Sequence, residues 1–173
     1  MPPFSFFSTM HRILVTNDDG IESEGIQVLA EALSGLGSVT LAAPTSDMTA
    51  VSHSITLNRP LRVEQRGNGR YAIDGTPTDC VAMAVNLIMK AAPPTLVVSG
   101  INKGANLGDD VHYSGTVAGA VEATMYQIPA IAVSLAGRDN YCFEPAAEIA
   151  RQVAIKVLEQ GLPRGTLLNV NVP

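Results

Sequence analysis

Apolar residues arrive along this chain in short runs, separated by polar loops rich in glycine, asparagine and aspartate. Residues 11–16 form the first run, which stops abruptly at Asn17-Asp18-Asp19-Gly20. A short β-rich run that ends on a turn signal predicts a buried strand followed by a loop. Ile26, Leu29, Leu33 and Leu36 then recur at helical spacing, with Gly35 and Gly37 marking the end of a helix. Residues 38–43 read as a second strand closed by Pro44, and 45–54 as a polar loop. Residues 55–63 and 70–73 read as extended segments around the turn signal Gly67-Asn68-Gly69, which predicts a hairpin.

Thr76-Pro77-Thr78-Asp79 has the composition of a helix start: an N-cap hydroxyl, a proline at the first helical position and an acid in the first turn. Val81, Ala84, Val85, Ile88 and Met89 supply its apolar face. Residues 95–99 predict a strand running into a glycine-rich loop, 100–108, followed by Asp109 and Asp110. Ser114-Gly115-Thr116 opens a helix of small residues that reaches about Gln127. Residues 130–135 predict a strand, 144–160 a helix with Ala146, Ile149, Val153 and Val157 inward, and 167–172 a last strand. Strands alternating with helices imply an α/β, Rossmann-like three-layer fold: a doubly wound, mostly parallel sheet with a hairpin insertion. Residues 1–9, with Phe4, Phe6 and Phe7 in no regular period, read as an extension before a single domain, 10–173. No basic stretch precedes those aromatics, so a signal peptide is not indicated. A core strand normally leads into a further element, so the stop at Pro173 reads as a shortened form or a fragment.

Composition narrows the class. Hydrophobic residues make up 46% of the chain and charged residues 16%, against roughly 25% charged in an average domain. That argues against disorder and for a sheet covered on both faces, or for a surface buried against another subunit. The net charge of −5 gives no chain-wide attraction to nucleic acid or to an anionic membrane. An anionic ligand would need a local positive feature, such as a cation or a helix N-terminus. No apolar run reaches the ~18 residues of a membrane span. Cys80 and Cys142 lack metal-type spacing and read as buried, reduced thiols, with a cytoplasmic location as the default.

Candidate chemistry lies where the strands end. Ligands of open α/β sheets bind beyond the carboxyl ends of the strands, and three polar loops fall there. The first holds Asp18 and Asp19. Adjacent carboxylates raise each other's pKa unless a positive group lies between them. The pair either holds a hard divalent cation such as Mg²⁺, Mn²⁺ or Ca²⁺, or caps the following helix and steadies the turn at Gly20. The second loop is 45–54. The third carries Asn102, Lys103 and Asn106 and ends on Ser114-Gly115-Thr116, where hydroxyls and free N–H groups at a helix start offer an anion site or simple capping. His53 and His112 are acid/base candidates or ordinary polar loop residues. Lys103 faces phosphate or solvent, Asp109 is a further candidate ligand, and Asp110 reads as a solvated loop residue.

Taken in order, ILVTNDDGI at 13–21, VSHSITL at 51–57, GTPTDC at 75–80, VSGINKGANLGDDVHYSGT at 98–116 and LNVNVP at 168–173 resemble the survival protein E (SurE) family of 5'/3'-nucleotidases. The resemblance runs from about His11 to the last residue. It implies one divalent ion per subunit, Mg²⁺ or Mn²⁺, held by Asp18, Asp19, the residue at position 49 and Asn102. It also implies that Asn106, Ser114, Gly115 and Thr116 contact the phosphate. The implied reaction is hydrolysis of a nucleoside 5'- or 3'-monophosphate by metal-activated water. The catalytic set is then Asp18, Asp19 and Asn102.

Two departures stand out. Position 49 is usually serine within a basic-rich run, whereas here it is Thr49 in Thr45-Ser46-Asp47-Met48-Thr49. Family members also usually continue into a C-terminal arm exchanged between subunits. That arm is apparently missing, which puts the family's homodimer or tetramer in question. Rival readings fare less well. A dinucleotide-binding oxidoreductase would want a glycine fingerprint after the first strand. A receiver-type signalling domain would want an aspartate where the central strand ends in Ser99-Gly100-Ile101-Asn102. A nucleotide-binding module whose active centre has decayed is the third reading.

Overall fold

Among the described residues seven strands hydrogen-bond in the order β3-β4-β2-β1-β5-β6-β7. They and their helices are, in chain order, β1 (Arg12–Thr16), α1 (Glu24–Leu33), β2 (Ser38–Pro44), β3 (Val63–Gln65), β4 (Arg70–Ile73), α2 (Pro77–Met83), β5 (Leu96–Lys103), α3 (Gly115–Met125), β6 (Ala130–Leu135), α4 (Glu144–Gln160) and β7 (Leu167–Val172). The coordinates are a computed structural model, which describes residues 11–137 and 141–173. The expected extension at 1–9 lies outside the described residues. Every strand pair is parallel except β3 with β4, the expected hairpin.

The period of two along each strand divides the core. Ile13 and Val15 of β1, Val98 of β5 and Ile131 and Val133 of β6 face one way and pack with α1 and α4. Leu14, Val97, Ala130 and Ala132 face the other way, toward α2 and α3. The result is the expected three-layer, doubly wound arrangement. The chain leaves β1 toward β2 on one side and returns to β5 on the other. The crevice between the carboxyl ends of β1 and β5 is therefore the topological switch point, where this architecture binds ligands.

Several local expectations need correction. The stretch expected to be extended over 55–63 forms a strand only from Val63; the residues before it cross the surface and are tied down by side chains instead. β5 does not stop at Ser99 but continues to Lys103, with its register to β6 shifting between Ser99 and Asn102. Gly100, at φ 143°, permits this: a Cβ there would lie 2.4 Å from the carbonyl oxygen of Val133. α2 gives way after Met83 to a π-helical turn, Ala84–Ile88, and the expected apolar face is kept: Val81, Ala84, Val85, Ile88 and Met89 all pack into the same core cluster. α4 turns Ala146, Ala147, Ala150, Ala154 and Val157 inward and leaves Ile149 39% exposed. Its alanines let the helix lie close against the sheet and α1, a phase that large apolar residues alone did not reveal. Cys80 is buried, and burial pushes its thiol up. Cys142, by contrast, is exposed, and its thiol donates to Glu144 Oε2 at 3.2 Å.

Candidate functional site

Asn17 builds the first loop. Its Nδ2 donates to Gly20 O at 3.0 Å and to Ser23 Oγ at 2.7 Å, and its Oδ1 accepts from Gly20 N at 3.2 Å. Gly20 sits at φ 98° with Ser46 backbone 3.3 Å from where a Cβ would be. One amide side chain thus closes the turn and leaves the two aspartates for other work. They do not cap α1, whose N-cap is Ser23. Asp18 is buried and Asp19 half-buried.

Asp18 instead meets α3. Its Oδ1 accepts from Thr116 Oγ1 at 2.5 Å, and a Cβ on Gly115 would lie 2.7 Å from Asp18 Cβ and 2.9 Å from Oδ2. Ser114 is the N-cap, its Oγ accepting from Val117 N at 3.1 Å. The N-terminus of α3, with its partial positive charge, therefore abuts the acidic pair from the neighbouring crossover. Burial pushes the carboxyl of Asp18 above its ordinary value, opposed by the hydrogen bonds from Thr116. Asp19 is pushed up to about 6, first by burial, then by the charges of Asp18 and Asp47, with Lys103 pulling the other way.

The second loop leans on the first: Met48 N donates to Asp18 O at 2.7 Å. Asp47 Oδ1 accepts from both Thr49 N, at 2.7 Å, and Thr49 Oγ1, at 2.5 Å. The Thr49 hydroxyl proton is therefore committed to Asp47, and its oxygen keeps lone pairs for an acceptor or ligand role. Sequence reasoning passed over Asp47, although a carboxylate two residues before a hydroxyl is a familiar turn signal.

In the third loop Asn102, half-buried at the end of β5, donates through Nδ2 to Gly104 O at 2.9 Å. Its amide nitrogen is thereby occupied by its own loop, and its oxygen is the group left for a ligand. Asn106 is buried in a knot. Its N donates to Asn171 Oδ1 at 2.8 Å, its Nδ2 to Ser134 Oγ at 2.8 Å, and its O accepts from Asn169 Nδ2 at 2.9 Å. Asn169 and Asn171 of β7 thus anchor the loop that follows β5. Asp109, Asp110 and His112 lie on an exposed 3-10 turn, Gly108–His112. His53 pairs with Glu122 of α3 at 2.8 Å.

Among the described residues no group of three or more His, Cys, Asp or Glu forms a metal cluster. The groups at the switch point are the carboxylates of Asp18 and Asp19, with the Asp47 carboxylate close enough to act on both and the Thr49 hydroxyl and Asn102 amide on the bordering loops, donors of the hard type that suits an oxygen-loving divalent ion. Among the described residues no helix is long and apolar enough to cross a membrane.

Comparison with known proteins bears on the same segments. The family model described as survival protein SurE matches residues 13–173. The 5'-nucleotidase SurE of Pelobacter propionicus is 59% identical over 165 residues, covering 95% of this chain and 66% of its own length. The protein of the same name from Geobacter sulfurreducens is 54% identical over 162 residues, covering 93% of this chain and 62% of its own. The crystal structure of SurE protein from Aquifex aeolicus superposes with a TM-score of 0.90 at 45% identity, over 94% of this chain and 66% of that one. This chain thus spans 62% to 66% of the length of these relatives.

Proposed function

This chain belongs to the survival protein SurE family, and from that premise we propose that it is a metal-dependent phosphomonoesterase acting on nucleoside 5'- and 3'-monophosphates. The observation that carries the reading is the meeting of Asp18 with the first turn of α3, through Thr116 Oγ1 at 2.5 Å. It supports a cation site beside an anion site, the pairing that phosphoryl transfer uses. The names of the curated relatives, 5'-nucleotidase SurE, support the same reading.

The donor set fits a divalent ion. Asp18 and Asp19 are both pushed up by burial, and the positive charge acting on Asp19 is that of Lys103. Two carboxylates in this state gain most from a cation placed between them. Asp18, Asp19, Asn102 and Thr49 would hold one Mg²⁺ or Mn²⁺. Such an ion, when bound, supplies a Lewis acid that neutralises phosphoryl charge and lowers the pKa of water.

The remaining work falls to this chain's own groups. The N–H groups of Gly115 and Thr116 bind phosphate oxygens, and Ser114 holds that turn open by capping it. Gly115 keeps the space beside Asp18 clear. Asn106 enters as a buried support of the loop; its Nδ2 gives one proton to Ser134 Oγ and keeps the second to donate to the phosphate. Lys103, exposed beside Asp19, draws the anion in. Asp18, Asp19 and Asn102 form the catalytic set within a domain spanning 10–173. The family's homodimer or tetramer belongs to the same proposal.

The deciding assay is phosphate release from a panel of nucleoside monophosphates with Mg²⁺, with Mn²⁺ and with excess chelator. Turnover should require the ion and return on its addition. Full turnover in excess chelator contradicts the reading.

A further inference from the structure

We propose that Glu122, acting through His53, is a positioning residue that fixes the loop after β2, and with it the Thr49 hydroxyl, over the acidic pair. The part concerning Thr49 rests on the reading that this hydroxyl belongs to the ion's shell.

The loop at 45–56 has no regular structure, is largely exposed, and carries Ala50 and Ser52 at positive φ, 57° and 54°. Conformations of that kind persist only where surrounding contacts hold them. At its base, Thr45 N donates to Ile73 O at 2.9 Å and Met48 N to Asp18 O at 2.7 Å. At its far end, Thr56 donates to Asp79 through N at 3.0 Å and Oγ1 at 2.6 Å, while Thr76 Oγ1 donates to Ser54 O at 2.7 Å. Between these anchors Ser52 donates through N to Tyr113 O at 3.0 Å and through Oγ to His112 O at 2.7 Å. Those carbonyls sit on the exposed turn before α3 and at its end, which are themselves loop. The contact from the middle of the loop to the body of a helix is His53 Nε2 with Glu122 Oε2, at 2.8 Å. With a carboxylate as partner, that nitrogen carries the proton.

Glu122 is out of character with its surroundings. α3 reads GTVAGAVEATM, and Glu122 is its one charged residue, only 7% exposed. Burying a carboxylate is costly unless a donor meets it, and packing alone would be better served by an apolar residue. The donor is His53, 69 positions away in sequence. The same helix touches Asp18 through Thr116 in its first turn and holds His53 about two turns later, at ~3.6 residues per turn. α3 therefore acts as a ruler, setting the distance from the acidic pair to the loop that carries Thr49.

The test uses the full chain with Glu122→Ala, Glu122→Gln and His53→Ala, read by amide hydrogen exchange and by Mn²⁺ titration. Exchange over 48–54 should speed up about tenfold in Glu122→Ala and His53→Ala, the scale of one charge-assisted hydrogen bond. The strands β1 and β5 should exchange as in the parent. The Mn²⁺ concentration for half-saturation should rise by a similar factor of roughly ten. Glu122→Gln keeps an oxygen for the imidazole N–H and should restore most of both. His53→Ala alters the exposed partner, so it decides the matter even if Glu122→Ala disturbs α3. Unchanged exchange over 48–54 in His53→Ala overturns the proposal, whatever the ion does. A parent chain that takes up no Mn²⁺ overturns the ion reading and the Thr49 part with it, while exchange still decides whether the loop is held.

Discussion

The loops after β1 and after β2 border the same crevice but are held in opposite ways. The first is short and mostly buried. One residue, Asn17, closes it by bonds to Gly20 and Ser23 within its own neighbourhood. The second is long and mostly exposed, and its ties run to partners far off in the chain: Asp18, His112, Tyr113, Glu122 and Asp79. The buried charges thus sit on the rigid loop, where burial gives them strength, while Asp47 of the second loop stays exposed. Adjustable polar contacts sit on the loop that solvent and ligand can reach. The contrast explains why burial pushes the carboxyls of Asp18 and Asp19 up while Thr49 is an ordinary exposed hydroxyl paired with Asp47.

Mutation of the rigid side should have the largest effect. Asp18→Asn and Asp19→Asn keep shape and remove charge, so turnover should fall by about a hundredfold or more with the circular dichroism spectrum unchanged, given what a metal ion contributes to such chemistry. Near-parental turnover in a folded Asp19→Asn chain would break the comparison, because the rigid loop would then be mere structure. Gly115→Ala comes next. The added methyl carbon would lie 2.7 Å from Asp18 Cβ, so either the helix start or the carboxylate must move. Inorganic phosphate should inhibit roughly tenfold less well, since a displacement near 1 Å is enough to weaken a preorganised anion site. Equal inhibition would mean that the helix start and the acidic pair act independently.

A milder effect comes from pH. Asp19 has a folded-state pKa of about 6 against an ordinary 3.8, so folding favours its protonated form. In the ion-free chain that contribution to stability is complete below the ordinary value and is lost as pH rises through about 6. The upward push on Asp18 acts in the same direction. Melting temperature without ions should therefore be higher at pH 5 than at pH 7.5. Added Mn²⁺ should reverse the order, because below the folded pKa the ion must displace a proton. A Mn²⁺ effect that does not depend on pH would show that neither carboxylate changes protonation on binding.

How far the sequence could be read follows the same contrast. Asp18, Asp19 and the start of α3 were legible because apolar runs end abruptly on polar residues whose local geometry is predictable. The helix start at Thr76 is similar: Thr76 Oγ1 accepts from Asp79 N at 3.1 Å, and Asp79 Oδ2 accepts from Thr76 N at 2.9 Å. What stayed hidden depends on partners distant in sequence. That Asp79 also receives Thr56, that Asn106 is knotted to Ser134, Asn169 and Asn171, and that His53 meets Glu122 all require the folded sheet to bring the groups together. The continuation of β5 through Gly100 was hidden for another reason. Glycine usually signals a loop, but here it serves close approach to the neighbouring strand. The outward Ile149 shows the limit of counting large apolar residues when alanines make the contact.

As proposed, the switch-point oxygens hold a divalent ion beside an anion site at the start of α3. Anomalous scattering from crystals soaked in Mn²⁺ and inorganic phosphate tests it most directly. The predicted result is a single strong peak within roughly 2.0–2.6 Å of carboxylate oxygens of Asp18 and Asp19, the range for hard divalent ions, with phosphate between that peak and the N–H groups of Gly115 and Thr116. A peak elsewhere, or none at full Mn²⁺ occupancy of the solution, contradicts it.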